Sequence, residues 1–402
     1  MIELEEAQKR IQQALPAPQP ETATLSEAAG RYVIGAIAAP MSLPPFDNSA
    51  MDGYAVLATD LRSASLENPV ALRQIGRVPA GQVHDGPPLA SGQCLRIFTG
   101  SPLPAGADAV IMQEDTRPAA NAEDTIECLD SVKPWEHIRL SGEDVKAGAN
   151  LLHDRDRLTL GRISVLSAVG IPEVVVGRRP IVGLVATGDE LKQPGDDLKP
   201  GEIFESNRLT LAQFIARSGG VPISLPLVPD RLDATVDALR SAFDQCDIVI
   251  TSGGASVGEM DFVKEAFAAL GGTQEFWRVR IKPGKPFVFG SLGEKLLFGL
   301  PGNPVSAIVT FLMLARPAIV QFQGGSENED SFISGTLTEP LVNHGNRRHF
   351  VRVKIDGNGG VRQAGLQASH ALGALLDANG LVDTPPETTI PAGEKVRVFR
   401  WD

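Results

Sequence analysis

Three strings hold the side chains most able to do chemistry. They are Thr187-Gly188-Asp189-Glu190, Thr251-Ser252-Gly253-Gly254-Ala255-Ser256-Val257-Gly258-Glu259 and Leu300-Pro301-Gly302-Asn303-Pro304-Val305-Ser306, and each follows an apolar run. In an open parallel sheet, ligands sit outside the C-terminal ends of the strands, so these loops are expected to converge on one crevice. The second and third loops suit an anion. Small residues let backbone N–H groups face a ligand, and Asn303 as N-cap with Pro304 at the first helical position leaves a helix N-terminus open to negative charge. Ordinary tight strand-to-helix turns use the same residues, and neither loop carries GxxxxGK[ST] or GxGxxG.

Carboxylates supply the opposite chemistry. Asp189 and Glu190, Asp230 after Pro229, and Asp261 after GGASVGEM fall in three successive strand-to-helix loops. Mg²⁺ takes one or two carboxylates plus substrate phosphates. N-capping and helix-dipole pairing account for Asp230 and Asp261 equally well. Arg278-Val279-Arg280-Ile281-Lys282-Pro283-Gly284-Lys285-Pro286 places four cations within eight residues on a proline-stiffened backbone. Rigidly held charges of that kind suit a compact oxyanion, and a solvated basic strand edge is the alternative. Asp47 and Asp52 in PPFDNSAMDGY, Thr99 in RIFTGSP and Asp144 in SGEDVKAG each read singly as turn residues. The six histidines show neither metal spacing nor a Ser/His/Asp order, and His370 in QASHAL is the one kept as a candidate.

Positioning these groups requires several cores. The 402 residues correspond to two or three domains at roughly 150 each. Helical periodicity covers 2–15 with Ile2, Ala7, Ile11 and Ala14/Leu15 on one stripe, and a second helical pattern begins at Ser26 as N-cap. Short β runs (70–78, 94–98, 109–112) between Gly and Pro clusters describe a small β-rich domain. A helix over 159–169 and a strand through 174–176 follow. Between 181 and 321, apolar β runs alternate with helical patterns (206–218, 231–243, 260–270, 304–321), which argues for a parallel sheet covered by helices. The last 75 residues return to β runs at 350–355, 360–363 and 395–401 and predict a β-barrel or sandwich.

Composition narrows the function. With 37 Lys+Arg against 49 Asp+Glu and a net charge of −12, nonspecific binding to nucleic acid or an anionic membrane is disfavoured. Any anionic ligand must then be met by local cations, helix N-termini or a metal. Cys94, Cys128 and Cys246 are odd in number and far apart, so they support neither a disulfide framework nor a zinc site, and a reducing cytoplasm fits. The longest apolar stretch, 305–315, is expected to stop at Arg316-Pro317, leaving no membrane span.

Taken together, PPFDNSAMDGYAV, RIFTGSPLPAGADAVIMQED, GEDVKAG, TGDEL, TSGGASVGEMD, IKPGKPFVFG and GLPGNPVSA resemble, in order, the molybdopterin molybdenumtransferase family, the MoeA proteins and the equivalent domain of gephyrin. The resemblance implies an α/β multidomain protein with four regions. These are a doubly wound, molybdopterin-binding-like domain (1–19 and 176–328), a linking and dimerisation region (20–45 and 139–175), a β-rich domain that completes the partner's cleft (46–138) and a C-terminal β-barrel (329–402). It implies a homodimer that consumes adenylated molybdopterin and molybdate, releases AMP and uses Mg²⁺, in contact with the molybdopterin adenylyltransferase.

By position, it assigns Asp189, Glu190, Asp230 and Asp261 to the metal, with Asp52, Thr99, Asp144, Asp189, Glu190 and Lys282 catalytic. Ser256, Arg278, Lys282, Pro283, Lys285, Ser306, Arg352 and Ser369 hold oxyanion or substrate. Arg278 stands where family members often carry Lys, which replaces a compact ammonium with a planar fork. A non-catalytic scaffold retaining the fold is the alternative, and retention of both acidic and basic strings argues against it. The missing Walker and dinucleotide fingerprints argue against a general nucleotide enzyme.

Overall fold

The computed structural model describes residues 1–120, 122–254, 262–326 and 332–401. Its central sheet has six strands in the order Val221–Ser224, Ile181–Ala186, Ile248–Ser252, Lys295–Leu300, Val288–Leu292, Thr273–Trp277. The first four are parallel. Val288–Leu292 runs antiparallel to both of its neighbours, so the sheet expected to be parallel is mixed. The reason is the connection. Leu292 pairs with Lys295, which leaves only Gly293 and Glu294 for the turn, whereas a parallel join needs a crossover of about a dozen residues.

Side-chain alternation divides the sheet between two cores. Val182, Leu184, Ile248, Ile250, Leu296 and Phe298 face one side, while Val185, Val249 and Leu297 face the other with Leu239, Phe243 and Phe267. Helix Leu4–Ala14 joins the first core through Leu4, Ala7 and Ile11, a spacing that puts them on one face. The same core continues into the C-terminal region through Phe350, Leu381 and Phe399.

A helix over 304–322 runs under the first face. It meets the length and apolarity of a membrane span, but 89% of its apolar window is buried inside the fold, which makes it a core helix. The helix expected over 304–321 is present and runs through Arg316-Pro317 to Phe322, with a π-helical turn, Phe311–Ala315, ahead of the proline. The wider turn relieves the clash between the Pro317 ring and the preceding backbone.

Strands Ala109–Met112, Gly53–Val56, Gln93–Ile97, Val70–Val78, Thr125–Cys128 and Thr116–Pro118 form a second sheet in that order. A separate core draws Ala23, Ala28 and Val33 together with Leu152, Leu158, Leu166, Val174 and Val176. The helix expected from Ser26 is a single turn, since Thr24 Oγ1 and N both donate to Glu27 Oε2 and no apolar stripe follows to extend it. At the C-terminus, Arg348–Ile355, Gly360–Gln363, Phe332–Leu337, Lys395–Arg400 and Gly380–Thr384 pair in sequence and close on Arg348–Ile355, forming a five-stranded barrel. Cys94, Cys128 and Cys246 are buried free thiols, and burial pushes Cys94 and Cys128 up to about 12.

Candidate active site

A cavity of about 700 Å³ opens beyond the C-terminal ends of strands Ile181–Ala186, Ile248–Ser252 and Lys295–Leu300, as the loop positions predicted. Thr187, Gly188 and Glu190 line it from the first loop, Ser252, Gly253 and Gly254 from the second, and Gly302, Asn303 and Pro304 from the third. Backbone geometry dictates the glycines. Gly253 and Gly254 have φ of +91° and +70°, and a Cβ on Gly254 would sit 2.2 Å from Val263 Cγ2.

Asn207 ties two of the loops together by donating from Nδ2 to Ser252 Oγ at 2.7 Å and to the Gly302 carbonyl at 2.8 Å. Sequence reasoning missed it, because an asparagine in a first helical turn looks like any capping residue. Glu205 forms part of the wall and is held by a buried ion pair with Arg208 at 3.0 Å.

The acidic end of the cleft is built from Asp189, Glu190 and Asp230. Asp230 N donates to Asp189 Oδ1 at 3.1 Å, and Asp189 N donates back to Asp230 Oδ2 at 3.4 Å, so the two loops lock their carboxyl groups side by side. Burial, with the charges of Asp189 and Glu190, holds the Asp230 carboxyl above the usual carboxylate range. Glu190 and Asp230 line the cavity. Among the described residues no group of three metal-ligating side chains is clustered. Ser256 and Asp261 lie outside the described residues.

The basic end assembles where Ile281–Lys282 pairs in parallel with Arg348 and His349 at the edge of the barrel. Arg347 donates to the Ile281 carbonyl at 3.0 Å. His349 is buried with neither ring nitrogen partnered, and burial, reinforced by Lys282, Arg352 and Arg347, depresses it to about 4. Arg352 is 2% exposed and donates to the Leu366 and Ala368 carbonyls, while its buried Nε has no partner. Orphaned polar groups amid positive charge are able to take up an anion.

Arg352 also links the two ends. The segment whose carbonyls it holds continues to Ser369, whose own carbonyl accepts from Val305 N at 3.2 Å. His370 and Leu372 then line the cleft. The loop around Gly284 packs on the same helix, since a Cβ there would lie 2.4 Å from Thr310 Cγ2.

The four-cation string does not act as one unit. Arg278, at φ +71°, stacks 3.7 Å over the Trp277 ring, and Arg280 pairs with Glu3 at 3.0 Å. Pro283 and exposed Lys285 are outside the cavity lining, and Ser306 is buried within the first helical turn. Lys282 alone of the four meets the Arg352 strand.

Asp52 and Thr99 form a second small constellation in the β-rich region. Thr99 N and Oγ1 donate to Asp52 Oδ1 at 2.8 and 2.9 Å, which lowers the Asp52 pKa. Asp47 Oδ1 accepts from Ser141 N at 2.7 Å, and Asp144 N donates to the Leu43 carbonyl at 3.0 Å. None of these residues lines the cavity of their own chain.

Family comparisons match the whole arrangement. Residues 2–170 match the MoeA N-terminal region (domain I and II), residues 183–321 the "Probable molybdopterin binding domain", and residues 334–401 the MoeA C-terminal region (domain IV). The molybdopterin molybdenumtransferase of Haemophilus influenzae is 38% identical over 405 residues, covering 99% of this chain and 98% of that protein. Molybdopterin molybdenumtransferase 2 of Mycobacterium tuberculosis is 37% identical over 412 residues and 100% of both chains. The crystal structure of the molybdopterin biosynthesis MoeA protein from Pyrococcus horikoshii OT3 superposes with a TM-score of 0.84 at 31% identity, covering 99% of each chain.

Proposed function

The chain belongs to the MoeA family of molybdopterin molybdenumtransferases, and from that premise we propose that its substrates are adenylated molybdopterin and molybdate. It is a transferase that inserts molybdenum in molybdenum cofactor biosynthesis. AMP leaves, and molybdenum remains on the pterin dithiolene. One observation carries the reading: the segment whose carbonyls Arg352 holds runs from the basic strand seam to His370 and Leu372 in the cavity wall, the cavity that Glu190 and Asp230 line from the acidic loops. Two anionic substrates repel each other, so bringing them together is mostly positioning and charge neutralisation. The site matches that need, because its machinery consists of carboxylates, cations and backbone amides.

Lys282, Arg347 and Arg352 hold the molybdate oxyanion at the basic seam. His349, kept neutral there, offers one ring N–H without adding charge. The residues present fit Mg²⁺. Asp189 and Asp230 are locked together, and the burial and mutual repulsion that raise Asp230 describe an acidic cluster a divalent cation relieves. Asp189 and Asp230 would hold the ion, since one or two carboxylates suffice where substrate phosphates complete the set. When bound, it neutralises phosphate charge. Asn207 fixes the relative height of the two glycine loops against which the phosphate lies.

The homodimer belongs to the same proposal. Asp52, Thr99 and Asp144 lie outside the cavity lining of their own chain, which supports their completing the cleft of a partner subunit. Contact with the molybdopterin adenylyltransferase would pass on the adenylated substrate directly, and three buried free thiols support a cytoplasmic setting.

The test is incubation of purified protein with adenylated molybdopterin, molybdate and Mg²⁺, with AMP measured by chromatography. Stoichiometric AMP that requires molybdate supports the reading. Absence of AMP under every metal condition overturns it.

A further inference from the structure

A second cavity, of about 300 Å³, lies apart from the cleft, between the linking region and the sheet domain. Arg31, Arg157, Arg179, Arg217 and Arg316 line it, and no carboxylate is among its described lining residues. That concentration of positive charge is unexpected in a chain of net charge −12. The linking region contributes Arg31 and Arg157, and the others come from the sheet domain and its long helix.

Arg31, Arg157 and Arg217 are oriented by backbone carbonyls. Arg31 is 6% exposed, pairs with Glu21, donates to the Gly177 carbonyl, and keeps a buried Nε without a partner. Arg157 reaches the Gly30 carbonyl at 3.4 Å, Arg217 the Trp401 carbonyl at 3.0 Å, and Arg316 lies 5.1 Å from the Phe399 ring centroid. The Arg179 guanidinium is exposed and has no partner among the described residues. Neutral carbonyls orient a guanidinium without cancelling its charge. Burying an unmatched donor is unfavourable unless a ligand completes it.

We propose that this cavity is an anion site, separate from the catalytic cleft, for a compact phosphate compound carrying several negative charges. Arginine rather than lysine fits such a ligand, because its planar fork donates two parallel hydrogen bonds to phosphoryl oxygens. Because the site draws its arginines from both regions, ligand binding bridges them.

The experiment is calorimetric titration of the full-length protein at low ionic strength with pyrophosphate, inorganic phosphate and AMP in separate arms. Substitution at Arg31 breaks a buried ion pair and risks unfolding, so the variants are Arg179→Ala and Arg157→Ala, each checked by thermal melting. Pyrophosphate is expected to bind and to raise the melting temperature, and each variant is expected to weaken it on the order of tenfold. Asp189→Ala in the cleft is expected to leave pyrophosphate binding unchanged. Preference for AMP over pyrophosphate would identify a nucleotide-borne phosphate, and the reverse a free one. The proposal is overturned if the parent binds none of the three, if Arg179→Ala and Arg157→Ala bind as the parent does, or if Asp189→Ala abolishes binding.

Discussion

The acidic loops and the basic seam are built by opposite strategies. At the acidic end, each loop is a short contiguous string at a strand terminus, and Asp189 and Asp230 meet because their strand-to-helix loops sit side by side, with Thr187 and Val228 bridged. At the basic end the contiguous string comes apart. Of Arg278, Arg280, Lys282 and Lys285, only Lys282 reaches the seam, where it is joined by Arg347, His349 and Arg352 from a strand some 70 positions later. The difference shows that carboxylates on adjacent loops need only local turn geometry, whereas a concentrated positive charge is held apart by distant strands. Separate elements limit repulsion among the cations while the site is empty.

The largest test breaks the acidic end. Asp189→Ala is expected to lower AMP release on the order of 100-fold or more while moving the melting midpoint little, since the side chain is exposed. Activity equal to the parent's would remove the metal assignment.

The basic end should respond differently, because there function and packing are fused. Arg352→Met leaves the Leu366 and Ala368 carbonyls unpaired and is expected to cost about 2–4 kcal/mol of stability in urea unfolding as well as activity. A stable, inactive variant would make Arg352 a ligand contact only.

Gly254→Ala tests the geometry of the glycine loop after strand Ile248–Ser252. At φ +70°, with Val263 Cγ2 2.2 Å from the new Cβ, a loss of about 1–3 kcal/mol is expected by the same measurement.

A subtler contrast lies in pH. His349 is held near 4 in the folded chain against an ordinary value near 6.5. Between those values the unfolded state binds the extra proton, so stability rises as pH increases from about 4 to about 6.5 and is lost on acidification. His349→Gln should flatten that slope, and an unchanged slope would show that another group sets it. Smallest of all, Arg280→Ala removes an exposed pair with Glu3 and should change AMP release by less than about twofold.

Much of this was legible in the residue order. Apolar runs alternating with helical patterns located the four parallel strands, three of which are buried on both faces and so are written as near-continuous apolar runs. Glycine at Gly253 and Gly254 was legible as loop chemistry, since positive φ strongly favours glycine. The mixed edge of the sheet was not, because a hairpin and a crossover differ only in how few residues connect them. The helix through Pro317 was legible as a period over 304–321, but its π turn was not, because a π turn has no sequence signature and tertiary burial stabilises it against the proline.

Sequence alone therefore determined which residue types the protein possesses and which loops lie at strand ends, since backbone sterics and hydrophobic periodicity are local. Tertiary structure decided which charges meet. Lys282 pairs with His349 rather than acting with its chain neighbours, Arg352 anchors the segment carrying His370, and Asn207 couples two loops, because Coulomb energy and hydrogen bonding depend on distance in space.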